Sequence, residues 1–489
     1  MGADVVVVGA GTAGAHVAGQ LARAGRRVVL LERRSLDAGG AHWHNGLLDR
    51  HFDRAGIARP VAPERVEHRR VTHLVGPDGA SAVTLRDNPV ITVDMALLGR
   101  RLRGDALEAG VVPVEHVAGL TPRYDGDRLV ALDVVVGEHS VEPGELRLEA
   151  ALFVDASGRA GVLRRTNEVL APWCPPLQGD ELCSAGDHQL RVADRDGALR
   201  FLDRHGARPG ETVTMLGTNG GFSTRAIAVA EDLSHAALLV GCLAHGRDGT
   251  AARMLAEARA AEPWLGESTC SGSGLIPLRR PYARITAPGL ALVGDAACQV
   301  FPAHGSGVGT GLVAGRHLRD AVVGAADPGD PVALWRYQAS FQHELGGTLA
   351  AFDAFRRLSS SLGSEGVSAM VHAGLMTERL AHAGLDQTWA TPDLADLPGT
   401  VARLAAAPAL AAKLLPGLTR AQALLGRGAR HPDRPDLEAL LAWDRRVARL
   451  VGEHRVSRHV DRRVSLPGRR TRRTAVATGT SRPAAPPTR

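Results

Sequence analysis

The chain has 489 residues, a formal net charge of +6 and five cysteines, none in a CxxC pair. That excludes a small disulfide-stapled module and leaves room for a large sheet-based core with an added layer. The odd cysteine count points to a reducing compartment, and the opening valine run is too short and too soon broken by glycine for a secretion signal or membrane span, so a cytoplasmic chain is expected.

In chain order, Asp4–Val8 reads as a buried strand and Gly9-Ala10-Gly11-Thr12-Ala13-Gly14 as a tight turn opening an Ala-rich helix. Val28–Leu31 is a second strand that ends at Glu32. This order is the grammar of a nucleotide-binding βαβ unit. Gly9 permits the turn, Gly11 removes a Cβ that would block a pyrophosphate, and Gly14 lets helix and sheet close. The helix start at Thr12 and Ala13 offers N–H groups to phosphates, and Glu32, followed by Arg33, can accept from a ribose hydroxyl. Beyond it, His42-Trp43-His44 lies on a loop suited to ring or substrate contacts, with no spacing for a metal.

Val61–Leu85 reads as a helix leading into a strand and hairpin. Asp94 caps a helix reaching Ala109, with Leu97, Leu98, Leu102, Ala106 and Leu107 as its buried stripe. Strands are expected near 111–114, at 129–136 and at 146–154, the last running into Asp155-Ala156-Ser157-Gly158-Arg159. The polar stretch from Val162 to about Glu211 reads as an inserted substrate region. Thr212–Leu216, Ser223–Val229 and Ala236–Cys242 follow as strands of a mostly antiparallel sheet, and Gly249–Ala260 as a helix. Gly289–Val293 returns as a buried strand before Gly294-Asp295-Ala296-Ala297, and a helix runs from the Gly305–Gly309 stretch to about Val323. The remainder to 454 is helical in character. The last forty residues carry arginines from Arg455 to Arg473 without aromatic interleaving, so a solvated tail is expected and nucleic-acid binding is not.

Three glycine-acid constellations at successive strand ends call for an extended dinucleotide lying across one sheet. Here the sequence resembles the FAD-dependent oxidoreductases of the p-hydroxybenzoate-hydroxylase type over roughly residues 1–325. The resemblance is closest to the geranylgeranyl-reductase-like branch, through Ser273-Gly274-Leu275-Ile276-Pro277-Leu278 and through Asn45-Gly46-Leu47 with Ala55-Gly56-Ile57. The resemblance implies FAD, with Gly9, Gly11, Gly14 and Glu32 at its ADP half. It sets Asp155 and Gly158 near the pyrophosphate and a nicotinamide donor, Asp295 after Gly294 on the ribitol, and Pro302 and Gly305 beside the isoalloxazine, followed by Gly307 and Val308. Arg101 is the helix arginine directed to FAD. The branch's Tyr-x-Trp-x-Phe-Pro segment is replaced by Asn219-Gly220-Gly221-Phe222-Ser223-Thr224, and the cysteine of its early loop is missing.

The expected fold is therefore α/β. Residues 1–165 and 286–325 form a Rossmann-like FAD-binding domain, 166–285 a substrate region with a mostly antiparallel sheet, 326–454 a helical C-terminal region and 455–489 a basic tail. The expected activity is hydride transfer to an unsaturated bond of a small-molecule, prenyl or natural-product substrate, with NAD(P)H or another reductant as electron donor. Monooxygenation of a small molecule or peptide-linked substrate is the alternative, and a structural flavin-binding assembly protein the non-enzyme one. Chemical candidates are His304, Cys298 and His44, with Trp43 and Phe222 as pocket walls. A protein or peptide partner stays open, and peripheral membrane contact is not expected.

Overall fold

The computed structural model describes residues 2–453 apart from 248, 391–394 and 396. The basic tail expected over 455–489 lies outside the described residues. A six-stranded sheet forms the centre, in the order Thr286–Ala287, Leu290–Leu292, Leu152–Asp155, Val5–Val8, Val28–Leu31 and Val112–Val114. Its strands run parallel except for the first pair. Every residue of Val5–Val8, Val28–Leu31 and Leu152–Asp155 is buried, the burial expected of a parallel strand covered on both faces. Helix Thr12–Arg23 packs against helices Met95–Glu108 and Val308–Val322.

The stretch expected as one strand over 146–154 is two. Gly144–Glu149 alternates exposed and buried residues in a three-stranded antiparallel sheet with Val117–Asp125 and Arg128–Val136, whereas Leu152–Asp155 enters the parallel sheet. The alternation Glu145, Arg147, Glu149 against the apolar Leu152-Phe153-Val154 marks the change of environment. In helix Met95–Glu108 the Asp94 carboxylate accepts from the Ala96 and Leu97 N–H groups, as a cap should. Leu107, expected in its buried stripe, is 41% exposed. No helix forms between Val61 and Leu85; a short strand Arg65–Glu67 precedes the hairpin Thr72–Val75/Ser81–Leu85.

A seven-stranded sheet faces the cofactor-type fold: Leu265–Pro277, Leu182–Val192, His235–Leu243, Ser223–Val229, Thr212–Leu216, Thr72–Val75 and Ser81–Leu85. It is antiparallel apart from the Thr212–Leu216/Thr72–Val75 pair. The hairpin at 72–85 therefore belongs to the same sheet as strands of the 166–285 segment. Leu182–Val192 and Leu265–Pro277 hide within polar and glycine-rich text, because only alternate residues of the second strand pack inward.

The C-terminal helices close the molecule. Asp330 caps Pro331–Phe341, a π turn at Gln342–Gly346 follows, and Gly347–His372 breaks at Gly363, whose φ is +66°. Gly221 of the sheet touches this long helix so closely that a Cβ there would sit 1.9 Å from the Ser359 carbonyl oxygen. A buried charge network holds the last described residues. Glu453 takes Arg280 in a bidentate pair at 2.9 and 2.9 Å and Arg279 at 3.3 Å, while Arg280 also reaches Asp444 at 2.7 Å. Removing one partner strands a buried charge. Glu453→Gln is expected to lower unfolding stability by about 3 kcal/mol in denaturant titration; an unchanged midpoint would contradict this account of the network.

Burial also keeps His16, His51 and His431 neutral, pulling their pKa values from 6.5 down to about 4, 3 and 4. Because these folded-state values are depressed, the stabilisation is fully present above pH 6.5 and is lost as pH falls toward about 4. The thermal midpoint should therefore fall between pH 7 and pH 5, before most carboxylates titrate, and a flat profile over that interval would count against it.

Candidate functional site

Three glycine turns meet at the end of the parallel sheet. Gly9, at φ +103°, lies so near the next strand's turn that a Cβ would be 2.5 Å from the Ala156 carbonyl oxygen. A Cβ on Gly14 would fall 1.8 Å from the Gly9 carbonyl oxygen. Gly11 meets no such wall, a Cβ there reaching only ordinary contact with the Gly40 Cα at 3.8 Å, and no side chain caps helix Thr12–Arg23. Helix Val308–Val322 begins beside it, also without a side-chain cap. Would-be Cβ atoms on Gly294 and Gly311 would lie 3.2 and 3.4 Å from the Ala13 Cβ. Two uncapped helix N-termini are thus packed side by side, a disposition suited to a pyrophosphate and the groups attached to it.

The carboxylates divide into two kinds. Glu32, 6% exposed, accepts from Ala10 N–H at 3.0 Å through one oxygen and from Arg34 N–H at 3.1 Å through the other. Each oxygen keeps a lone pair for a hydroxyl. Asp295, on the turn Gly294–Ala297, accepts no hydrogen bond from the described residues, and burial pushes its pKa up to about 6, with Arg159 opposing. A half-buried carboxylate so placed suits a hydroxyl donor. Asp155 is fully buried and accepts from Ser157 N–H, the Ser157 hydroxyl, Leu163 N–H and Arg164 N–H at 2.6–3.1 Å. Its lone pairs hold the 157–164 turn, including Gly158 at φ +68°.

Two arginines of helix Met95–Glu108 are engaged differently. Arg101 makes a bidentate pair with Glu64 at 2.7 and 2.8 Å and reaches the Ala58 carbonyl, away from the glycine turn. Arg103, 4% exposed, donates instead to Gly39 O at 3.1 Å and Ala10 O at 3.4 Å, pinning the 39–40 loop over the first glycine turn. Helical phase could have found it. Arg103 lies four residues from Gly99 and three from Ala106, both buried, while Arg101 falls off that stripe. Arg33 is exposed.

From these turns the segment 303–309 leads directly into a cavity of about 1240 Å³, larger than the roughly 300–1,000 Å³ of ordinary ligand pockets. Ala303, His304, Gly305 and Ser306 form one wall and Trp43–Leu48 another, joined by the Ser306 hydroxyl 3.4 Å from Gly46 O. Pro302 is buried and lies outside the lining, as do Gly307 and Val308, which continue into the helix. Phe222 and Trp43 both line the cavity. Gly272 and Gly274 leave room for the Trp43 indole: a Cβ on Gly272 would sit 2.4 Å from Trp43 Cε3. The alternate glycines of Ser271-Gly272-Ser273-Gly274 were the sequence signal for that flattened face. Helices Gly347–His372, Glu378–Leu385, Leu397–Ala406 and Pro408–Leu425 supply the far side.

His304 turns its accessible surface into this cavity, beneath helix Glu378–Leu385. Loss of hydration pulls its pKa down to about 4, outweighing the backbone of Gly384, so the imidazole is neutral near pH 7. It can hydrogen-bond but is a poor proton source. His44 also lines the cavity, its Nε2 3.9 Å from an Asp94 oxygen. Cys298 does not reach it. The thiol is fully buried among Tyr282 and Phe301, and burial raises its pKa to about 11, so it packs rather than reacts. Asp187, which the sequence did not single out, lines the cavity close to His44, whose N–H donates to Asp187 Oδ2 at 3.3 Å. Gln189 Nε2 donates to the same oxygen at 3.2 Å, yet burial raises the Asp187 pKa overall.

These residues fit FAD: paired, uncapped helix starts for a pyrophosphate, carboxylates with spare acceptor capacity for hydroxyls, and an apolar cavity reached from the third turn. Residues 4–57 match the FAD dependent oxidoreductase family described as DAO. The digeranylgeranylglycerophospholipid reductase of Sulfolobus acidocaldarius is 23% identical over 391 residues, covering 75% of this chain and 79% of the relative. Digeranylgeranylglycerophospholipid reductase 1 of Methanopyrus kandleri is 28% identical over 368 residues, covering 73% and 90%. Among solved structures, a geranylgeranyl bacteriochlorophyll reductase-like protein from Thermoplasma acidophilum superposes with a TM-score of 0.64 at 16% identity, over 84% of this chain and 99% of that one. The flavin-dependent brominase Bmp2 gives 0.55 at 17%, over 79% and 94%. At such identities the structural likeness shows the fold alone.

The two arginines make a direct test. Arg103→Ala is expected to weaken retention of FAD about tenfold, read from flavin absorbance after gel filtration, while Arg101→Ala keeps it. The reverse ranking would overturn the assignment.

Proposed function

We propose that this FAD-dependent oxidoreductase saturates carbon–carbon double bonds in the prenyl chains of a lipid. The observation that carries the reading is the cavity. Its volume of about 1240 Å³ and its Leu, Phe, Trp and Met lining suit a long hydrocarbon chain, and its near wall is the Ala303–Ser306 segment that follows the third glycine turn. The curated relatives named above are prenyl-lipid reductases by name.

FAD, when bound, supplies hydride chemistry. In this proposal Gly9, Gly11, Thr12, Ala13 and Gly14 cradle its pyrophosphate, Glu32 takes the adenosine ribose, Asp295 the ribityl chain, and Gly305 and Ser306 border the ring. Arg103 fixes the loop that closes the ADP side. Trp43 and Phe222 hold the chain and keep water out, which protects a reduced centre from side reactions. Saturating an isolated double bond consumes a hydride and a proton. Neutral His304 orients groups by hydrogen bonding, whereas Asp187, whose pKa burial raises and which lines the cavity beside the His44 backbone, is assigned as the proton donor.

The test is anaerobic incubation of the flavin-loaded protein with a geranylgeranyl lipid and NADPH or dithionite, followed by mass analysis. The expected product has gained two hydrogens per reduced bond. Asp187→Asn is expected to retain flavin and lose about a hundredfold in turnover. A product that gains oxygen, formed only in air, would sink the reductase reading in favour of monooxygenation; full activity in Asp187→Asn would remove that residue from the chemistry.

A further inference from the structure

The helices that close the far side of the cavity carry an outer surface unlike that of a solvated helix. On Leu397–Ala406, Leu397 and Val401 are 43% and 57% exposed and, with exposed Ala405, form a stripe at i, i+4 and i+8. On Pro408–Leu425, Leu415 is 49% exposed and shares its outward face with exposed Pro408, Ala412 and Pro416. None of these side chains lines the cavity, whereas Leu404, Leu414 and Leu418 of the same helices do. Each helix therefore carries an apolar stripe outward as well as apolar side chains inward. An outward apolar stripe flanked by cations suits the boundary of a nonaqueous phase.

The charge pattern selects the phase. From Leu397 to Pro432 the sequence has no Asp or Glu, but it has Arg403, Lys413, Arg420, Arg427 and Arg430. Lys413, Arg420 and Arg430 are exposed. The run of cations between Asp396 and Asp433, set beside an apolar stripe, complements a surface of negative headgroups over hydrocarbon. Among the described residues no helix is long and apolar enough to cross a membrane, so the surface would lie on a bilayer rather than span it.

We propose that helices Leu397–Ala406 and Pro408–Leu425 dock the protein on an anionic lipid bilayer, with Leu397, Val401 and Leu415 inserted below the headgroups. The docked face is then the roof of the cavity itself, so a lipid chain passes from bilayer to cavity between elements that touch both. This deepens the prenyl-lipid reading and rests on it for the passage of substrate, but the docking stands on exposure and charge alone.

The test is flotation of the full flavin-loaded chain with vesicles of equal phosphatidylglycerol and phosphatidylcholine, compared with phosphatidylcholine alone. The native chain should float with the anionic vesicles. The combined variant L397E/V401E/L415E should lose about tenfold in bound fraction while keeping its flavin spectrum and melting midpoint. Should that variant fail to fold, K413Q/R420Q must reduce the preference for anionic over neutral vesicles. Flotation that survives L397E/V401E/L415E, whether carried by the arginine-rich tail or by another face, overturns the proposal. So does a native chain that ignores vesicles and forms a dimer, seen by light scattering, which L397E/V401E/L415E dissociates. Flotation without any prenyl reduction keeps the docking surface and rejects only the substrate reading.

Discussion

The structure depends on how closely three backbone turns can approach one another at the end of the parallel sheet. Gly9 presses on Ala156, Gly14 on Gly9, and Gly294 and Gly311 on Ala13, with no room for a Cβ at Gly9 or Gly14. That contact sets both helix starts side by side and leaves Asp295 facing them from the third turn. It also fixes where the 303–309 segment leaves the nucleotide-type fold. In the proposed reaction substrate lies between that segment and Trp43–Leu48 opposite, with Asp187 on one strand of the seven-stranded sheet and Phe222 just before another.

Burial then assigns roles that residue type alone does not. Three acids end strands or turns in similar sequence settings, yet Asp155 is consumed by four donors of its own turn, Glu32 is half engaged, and Asp295 has no donor among the described residues. The same distinction separates the histidine from the aspartate in the cavity wall. Removing water lowers the pKa of His304 and raises that of Asp187, shifting each toward its neutral form.

Legibility followed local pattern. The βαβ opening, the return strand with Gly294-Asp295 and the three strands from Thr212 to Cys242 are short, periodic and bounded by glycine, so sequence placed them. Leu182–Val192 and Leu265–Pro277 were not legible, because their inward residues include Gly, Ser and Ala that pack against Trp43 and the sheet rather than against an obvious core. The burial of Arg103 is legible by helical phase, whereas the pairing of Arg101 with Glu64, distant in sequence, is not. Asp187 carried no motif at all; its role depends on which strand face meets the cavity. Helix Glu378–Leu385, which covers His304, likewise becomes meaningful only when the chain returns to the sheet.

The most direct measurement of the central claim is stopped-flow absorbance of the fully reduced protein mixed with a geranylgeranyl lipid in the absence of oxygen. The account requires the oxidised flavin band to return as double bonds disappear, in equal amounts. A flavin that stays reduced until oxygen is admitted would contradict it.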